Sequence, residues 1–112
     1  MKGNIIEAAK YVNHPSFNGV FTKHFFSSED NDRLNNVEVV IMPNFEITPH
    51  IHETAIEFFY VVEGEGEFLD NTEWRKIEKG VAFKAPIGMT HGIKNTGKKP
   101  LVLFSTFSPS IR

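Results

Sequence analysis

PHIHETAIEFFYVVEG, residues 49–64, sets His50 and His52 two positions apart and Glu57 five positions beyond His52. In an extended strand, residues i and i+2 point to the same face, so the two imidazoles project together. Glu57 opens an apolar run, Phe58 to Val62, that is predicted to be a second strand. The link from Glu53 to Ile56 is short enough to fold the carboxylate back beside the imidazoles, on an adjacent strand. Two imidazoles and a carboxylate suit a divalent first-row metal.

A fourth donor lies in GVAFKAPIGMTHGIKN, residues 80–95. This stretch reads as a strand (Val81 to Lys84), a tight reversal at Pro86 and Gly88, and a returning strand that starts at His91. Proline fixes φ and glycine permits positive φ, as a sharp turn requires. His91 is thus delivered at a strand start.

These two stretches carry a resemblance to the cupin superfamily. Its first motif, G-x5-H-x-H-x3,4-E-x6-G, is met by Asn44, His50, His52, Glu57 and Gly64, with Asn44 in place of the leading glycine. Asparagine also tolerates the left-handed region, so this departure is mild. The second motif, G-x5-P-x-G-x2-H-x3-N, is met without departure by Gly80, Pro86, Gly88, His91 and Asn95. The resemblance implies an all-β double-stranded β-helix, the jelly-roll cupin barrel, with His50, His52, Glu57 and His91 as metal ligands. It implies one barrel over residues 1–112, with the motifs at 44–64 and 80–95. It also implies a metal-dependent enzyme of the dioxygenase, isomerase, decarboxylase or lyase type, or a non-catalytic metal-dependent module that binds a small ligand. The two-barrel storage members of the superfamily are too long to match.

Composition agrees with one domain. The chain has 112 residues, no cysteine and a formal charge of −2. Thiolate sites, disulfides and cysteine nucleophiles are excluded, which fits a cytoplasmic setting. No basic block points to nucleic acid, and no apolar run nears the roughly 18 residues that span a bilayer. The N-terminus lacks a long apolar stretch and is not read as a secretory signal. Phenylalanine is abundant, at 11 residues. Most belong in a β core, and a few should share the ligand face.

Along the chain, Ile5 to Tyr11 reads as a helical turn or an edge strand. Asn13-His14-Pro15 is a turn signal, with His14 expected to be exposed rather than a ligand. Strands are expected at Gly19 to Phe26, Asn36 to Met42, Ile47 to His52, Glu57 to Glu63, Glu67 to Leu69, Glu73 to Glu78 and Leu101 to Phe107. SSEDNDRLNN, residues 27–36, is a polar loop. Residues 63–67 read as a turn in which Gly64 and Gly66 supply unusual dihedrals. The tail from Ser108 to Arg112 is expected to be loosely held. That makes nine or ten short strands, the pattern of a sandwich or barrel.

By strand parity, Phe59 and Val61 share the face of Glu57, and Ile93 that of His91, so all three are expected to line an apolar pocket. Phe58, Tyr60 and Val62 face the other way, which calls for a second sheet or a partner copy and leads to an expected homodimer. Three neutral imidazoles and one carboxylate leave a divalent ion with a net charge of about +1. Nitrogen and oxygen donors suit Mn, Fe, Co, Ni, Cu or Zn alike. No Ser-His-Asp set, phosphate loop or carboxylate pair for glycoside chemistry is evident, so any chemistry on a small-molecule substrate rests on the ion.

Overall fold

A computed structural model describes residues 3–112. Ten strands follow in order: β1 Tyr11–Asn13, β2 Val20–His24, β3 Asn35–Ile41, β4 Glu46–His50, β5 Ile56–Glu63, β6 Glu65–Asp70, β7 Glu73–Glu78, β8 Ala82–Ala85, β9 His91–Asn95 and β10 Leu101–Ser108. They form a six-stranded sheet, β1-β2-β3-β10-β5-β8, and a four-stranded sheet, β4-β9-β6-β7. Every strand pair is antiparallel. The architecture is the all-β double-stranded β-helix, or jelly roll. Among the described residues no helix is long and apolar enough to cross a membrane.

The inner faces of the two sheets meet in one core. Period-two alternation is plain in β3, where Val37, Val39 and Ile41 are buried between half-buried neighbours, and in β10, where Leu101, Leu103, Ser105 and Phe107 point in. Burying such side chains between two faces is the main stabilising term, at roughly 1.5–3 kcal/mol each. In β5 the inward set is Glu57, Phe59 and Val61. The outward residues Phe58, Tyr60 and Val62 are each 41–48% exposed.

Two expectations change here. β4 and β5 are not neighbours in one sheet. Residues 51–55 cross from the four-stranded sheet to the six-stranded one, so Glu57 faces the imidazoles across the core. Five residues can reach about 16 Å, more than the roughly 10 Å between packed sheets. The tail is also held. The Ser108 Oγ donates to Arg33 O at 3.0 Å, Ser110 Oγ to Asn31 O at 2.9 Å, and the Ile111 amide to Asn35 Oδ1 at 2.8 Å. The Ser28 amide donates to the Arg112 carbonyl. The polar loop over residues 27–36 therefore clasps the end of the chain.

Glycines and asparagines set the close turns. Asn44 has φ +71° and takes the left-handed conformation that the motif glycine would supply. Gly64 has φ +91° and links β5 to β6. Gly66 does not belong to that turn. It lies inside β6, buried, and a Cβ there would fall 2.2 Å from Lys94 O in β9. Its role is close approach of strands rather than an unusual dihedral.

Gly66→Ala should therefore force β6 and β9 apart and cost about 1–3 kcal/mol of unfolding free energy. A urea titration checks this through a lowered midpoint. An unchanged midpoint would contradict the close approach.

Candidate metal centre

The register of β4 against β9 pairs His50 directly with His91. His50 ends β4 and His91 begins β9, so both stand at the same end of the four-stranded sheet. His52 lies just beyond β4, on the crossing segment, and not inside a strand. Ile51 between them is 44% exposed while both histidines are turned in, so the i, i+2 relation survives the end of the strand. The Gly88 amide donates to His52 O at 2.9 Å, and Gly88 holds φ +77°. The β8–β9 turn thus pins the backbone of the β4–β5 crossing. Asn95 anchors the far end of β9, its Nδ2 donating to Ile41 O and Lys99 O at 2.9 and 2.8 Å. The Pro86, Gly88 and Asn95 positions of the second motif serve to place His91 and His52.

One ring nitrogen from each of His50, His52 and His91 lies within 4.8 Å of the others. Glu57 joins them from the opposite sheet. Its Oε1 is 3.4 Å from His52 Nε2 and 3.6 Å from His91 Nε2. The Ser105 hydroxyl, inside β10, donates to the other carboxylate oxygen at 2.5 Å. The three imidazoles expected from the sequence therefore form one cluster, and Glu57 lies against two of them, His52 and His91.

The tautomers follow from the hydrogen bonds. His50 Nδ1 is 2.8 Å from Thr48 O, and His91 Nδ1 is 3.2 Å from Met89 O. A carbonyl only accepts, so in each neutral ring Nδ1 carries the proton and Nε2 carries a lone pair. His91 Nε2 is buried and has no hydrogen-bond partner. It faces a carboxylate oxygen that is also an acceptor. With the ring neutral the two acceptors face each other without a donor, which is costly, and either a proton on Nε2 or a cation between them removes the cost. The residues present thus fit a divalent ion.

The electrostatics agree. Burial lowers the His50 pKa from 6.5, and the neighbouring His91 and His52 add to this, against a bond to Thr48 O that raises it. His50 is thereby kept neutral, as a ligating imidazole must be. Burial pushes the Glu57 carboxyl up, but hydrogen bonds donated to it when a proton sits on His52 or His91, and the bond from the Ser105 hydroxyl, outweigh this and hold it below 4.5. It stays ionised at neutral pH.

These groups line a cavity of about 240 Å³. Its apolar wall includes Phe59, Ile93, Ile47, Val37, Val39 and Phe107. Phe59 and Ile93 stand where the sequence puts them. Val61 does not line the cavity: it is 0% exposed in the core. Two residues along a strand is about 7 Å, enough to carry it beneath Phe59. Phe59 stacks on Phe83 at 4.7 Å. His14, expected in solvent, lines the cavity with Ser16, Phe17 and Arg112. Ser105 was detectable as a hydroxyl at an inward position of an apolar strand. Arg112 carried no such signal, because only the clasp on the tail brings it there.

A double-stranded β-helix whose cavity is lined by a cluster of three imidazoles with a carboxylate beside it defines the class of protein. Residues 37–107 match the cupin domain family, and the chain belongs to that family. It is 38% identical over 68 residues to a germin-like protein, subfamily 2 member 2, from Arabidopsis thaliana, covering 56% of this chain and 31% of that protein. It is 36% identical over 59 residues to an oxalate-binding protein from Thermotoga maritima, covering 53% and 49%. The chain thus spans less than half the length of these curated relatives. Among solved structures it is similar to KdgF from Halomonas sp., with a TM-score of 0.80, 26% identity, and 91% of this chain and 89% of that one covered.

Metal affinity should follow the imidazoles. His50 binds its proton more weakly in the fold than its ordinary 6.5, so protons compete with the ion only as pH falls below that value. Zinc titrations should show a level affinity above about pH 6.5 and a steep loss below it. An affinity unchanged down to about pH 5 would contradict imidazole ligation.

Proposed function

We propose that the protein holds a divalent transition metal through His50, His52, Glu57 and His91 and acts on a small oxygenated molecule that chelates the ion. The reaction class is dioxygenase, isomerase or lyase. The observation that carries this reading is the buried, unpartnered Nε2 of His91 facing the Glu57 carboxylate. The cavity volume lies below the roughly 300–1,000 Å³ of sites for drug-sized ligands, which supports a small metabolite. Likeness to a protein named for oxalate binding supports a chelating oxygen ligand.

When bound, the ion supplies Lewis-acid polarisation, water activation or dioxygen chemistry according to its identity, which can be Mn, Fe, Co, Ni, Cu or Zn. The chain supplies the rest. His50 and His91 present lone pairs fixed by their bonds to Thr48 and Met89 carbonyls. Ser105 fixes the Glu57 carboxylate. Phe59, Ile93 and Phe107 keep water from the apolar side of the ligand.

A second reading, a binding module without turnover, is favoured by the shortage of proton-transfer groups. Outside the four ligands, His14 is the cavity's remaining imidazole among the described residues, and no further carboxylate lines it. The test is protein purified without chelator or affinity tag. Elemental analysis should return about one equivalent of transition metal per chain. Incubation with oxalate, diketones and flavonols should then give product or oxygen uptake that a chelator abolishes and metal restores. Binding without turnover would favour the module, and failure to take up any metal would overturn both readings.

On assembly, the reading is a homodimer. Phe58, Tyr60 and Val62 of β5 and Phe104 of β10 leave an apolar outer face, each residue at least 38% exposed, that a second copy would cover. The cysteine-free chain needs no oxidising compartment, which supports a cytoplasmic location. Light scattering at micromolar concentration should give twice the 12.7 kDa chain mass. The mass of one chain would contradict the dimer.

A further inference from the structure

The mouth of the cavity carries a group that the metal centre does not use. Arg112 lines it, although the residue itself is exposed. Its backbone is not loose. Ser108, Ser110 and Ile111 are bonded to Arg33, Asn31 and Asn35, and the Arg112 carbonyl accepts from Ser28. The guanidinium carbon is 6.0 Å from the Phe107 ring, a wall of the cavity. Among the described residues no carboxylate forms an ion pair with it. An exposed guanidinium in the cavity lining, paired with no described carboxylate, is a fork with an open valence for a carboxylate or a similar planar anion.

His14 stands beside it. The Ser16 amide donates to His14 Nδ1 at 3.0 Å, so the neutral ring carries its proton on Nε2 and is a donor. The Phe17 ring lies between, 4.7 Å from His14 and 6.0 Å from His50, and joins the rim to the metal centre. Burial lowers the His14 pKa below 6.5, and the Arg112 charge adds to it. The rim charge therefore resides on Arg112, with His14 a neutral donor. The charge count is then simple. A divalent ion with Glu57 leaves about +1 at the centre, and Arg112 brings the cavity to about +2. No other charged side chain lines it.

We propose that Arg112 is a specificity-determining clamp for a dianion: a small hydroxy or keto acid that chelates at the His50-His52-Glu57-His91 centre and carries a second carboxylate to the mouth. The proposal rests on the metal-centred reading above and adds the substrate class. Monocarboxylates and neutral chelators can occupy the centre but leave the clamp empty.

The test uses the full chain loaded with zinc, which has no redox chemistry of its own. Calorimetry compares malate with 2-hydroxybutyrate, which has the same carbon number and chelating end but lacks the distal carboxylate. The wild type should bind malate about tenfold more tightly, the scale of a charge-assisted hydrogen bond. Arg112→Met should erase that preference while leaving zinc affinity and 2-hydroxybutyrate affinity unchanged, and Arg112→Lys should keep part of it. Equal affinities in the wild type, a comparison that depends on no variant, would overturn the clamp. So would an Arg112→Met loss of the same size for both acids. Zinc titration of the wild type comes first. No zinc binding overturns the metal centre and the clamp with it, whereas zinc binding without malate preference overturns the clamp alone.

Discussion

Glu57 belongs to one sheet and His91 to the other, and the 3.6 Å between Oε1 and Nε2 is the contact on which the site depends. Neither atom has a proton to offer when the imidazole is neutral, because the His91 proton is committed to Met89 O. Ordinary core packing does not leave two buried acceptors turned toward each other. A proton on the imidazole or a cation between the two atoms would remove that cost. The rest of the inner end of the barrel maintains the alignment: Ser105 on the far carboxylate oxygen, Gly88 on the His52 carbonyl, Asn95 on the end of β9.

The jelly roll makes this possible by a division of labour between its sheets. The four-stranded sheet brings His50 and His91 into register, and the six-stranded sheet supplies Glu57 and Ser105. An ion held by side chains of both sheets would stabilise only the closed sandwich. The cavity is walled largely by apolar side chains, and the charged side chains in its lining are Glu57 and Arg112.

Much of this was legible in the sequence because strand parity and turn chemistry are local. His50 with His52, His91 at a strand start, Phe59 and Ile93 facing in, and Asn44 in a left-handed turn all follow from neighbours within a few residues. What was not legible depends on distant parts of the chain. A link of five residues serves a hairpin or a crossing equally well, so β4 and β5 looked adjacent. Val61 shares a face with Phe59, but parity does not report depth along the barrel. Gly66 resembled a turn glycine, and only the nearby Lys94 carbonyl shows otherwise. Arg112 and His14 reach the cavity through the clasp of residues 27–36 and the β1–β2 turn, segments whose loop and turn character is legible but whose packing against the cavity is not.

The central claim is that four side chains from two sheets share one ion, and X-ray absorption at the zinc edge of the loaded protein tests it most directly. The account predicts a shell of nitrogen and oxygen at about 2.0–2.1 Å with the multiple-scattering pattern of three imidazoles, reduced to two in His91→Ala. A shell of light atoms without imidazole scattering, or one unchanged by His91→Ala, would contradict it.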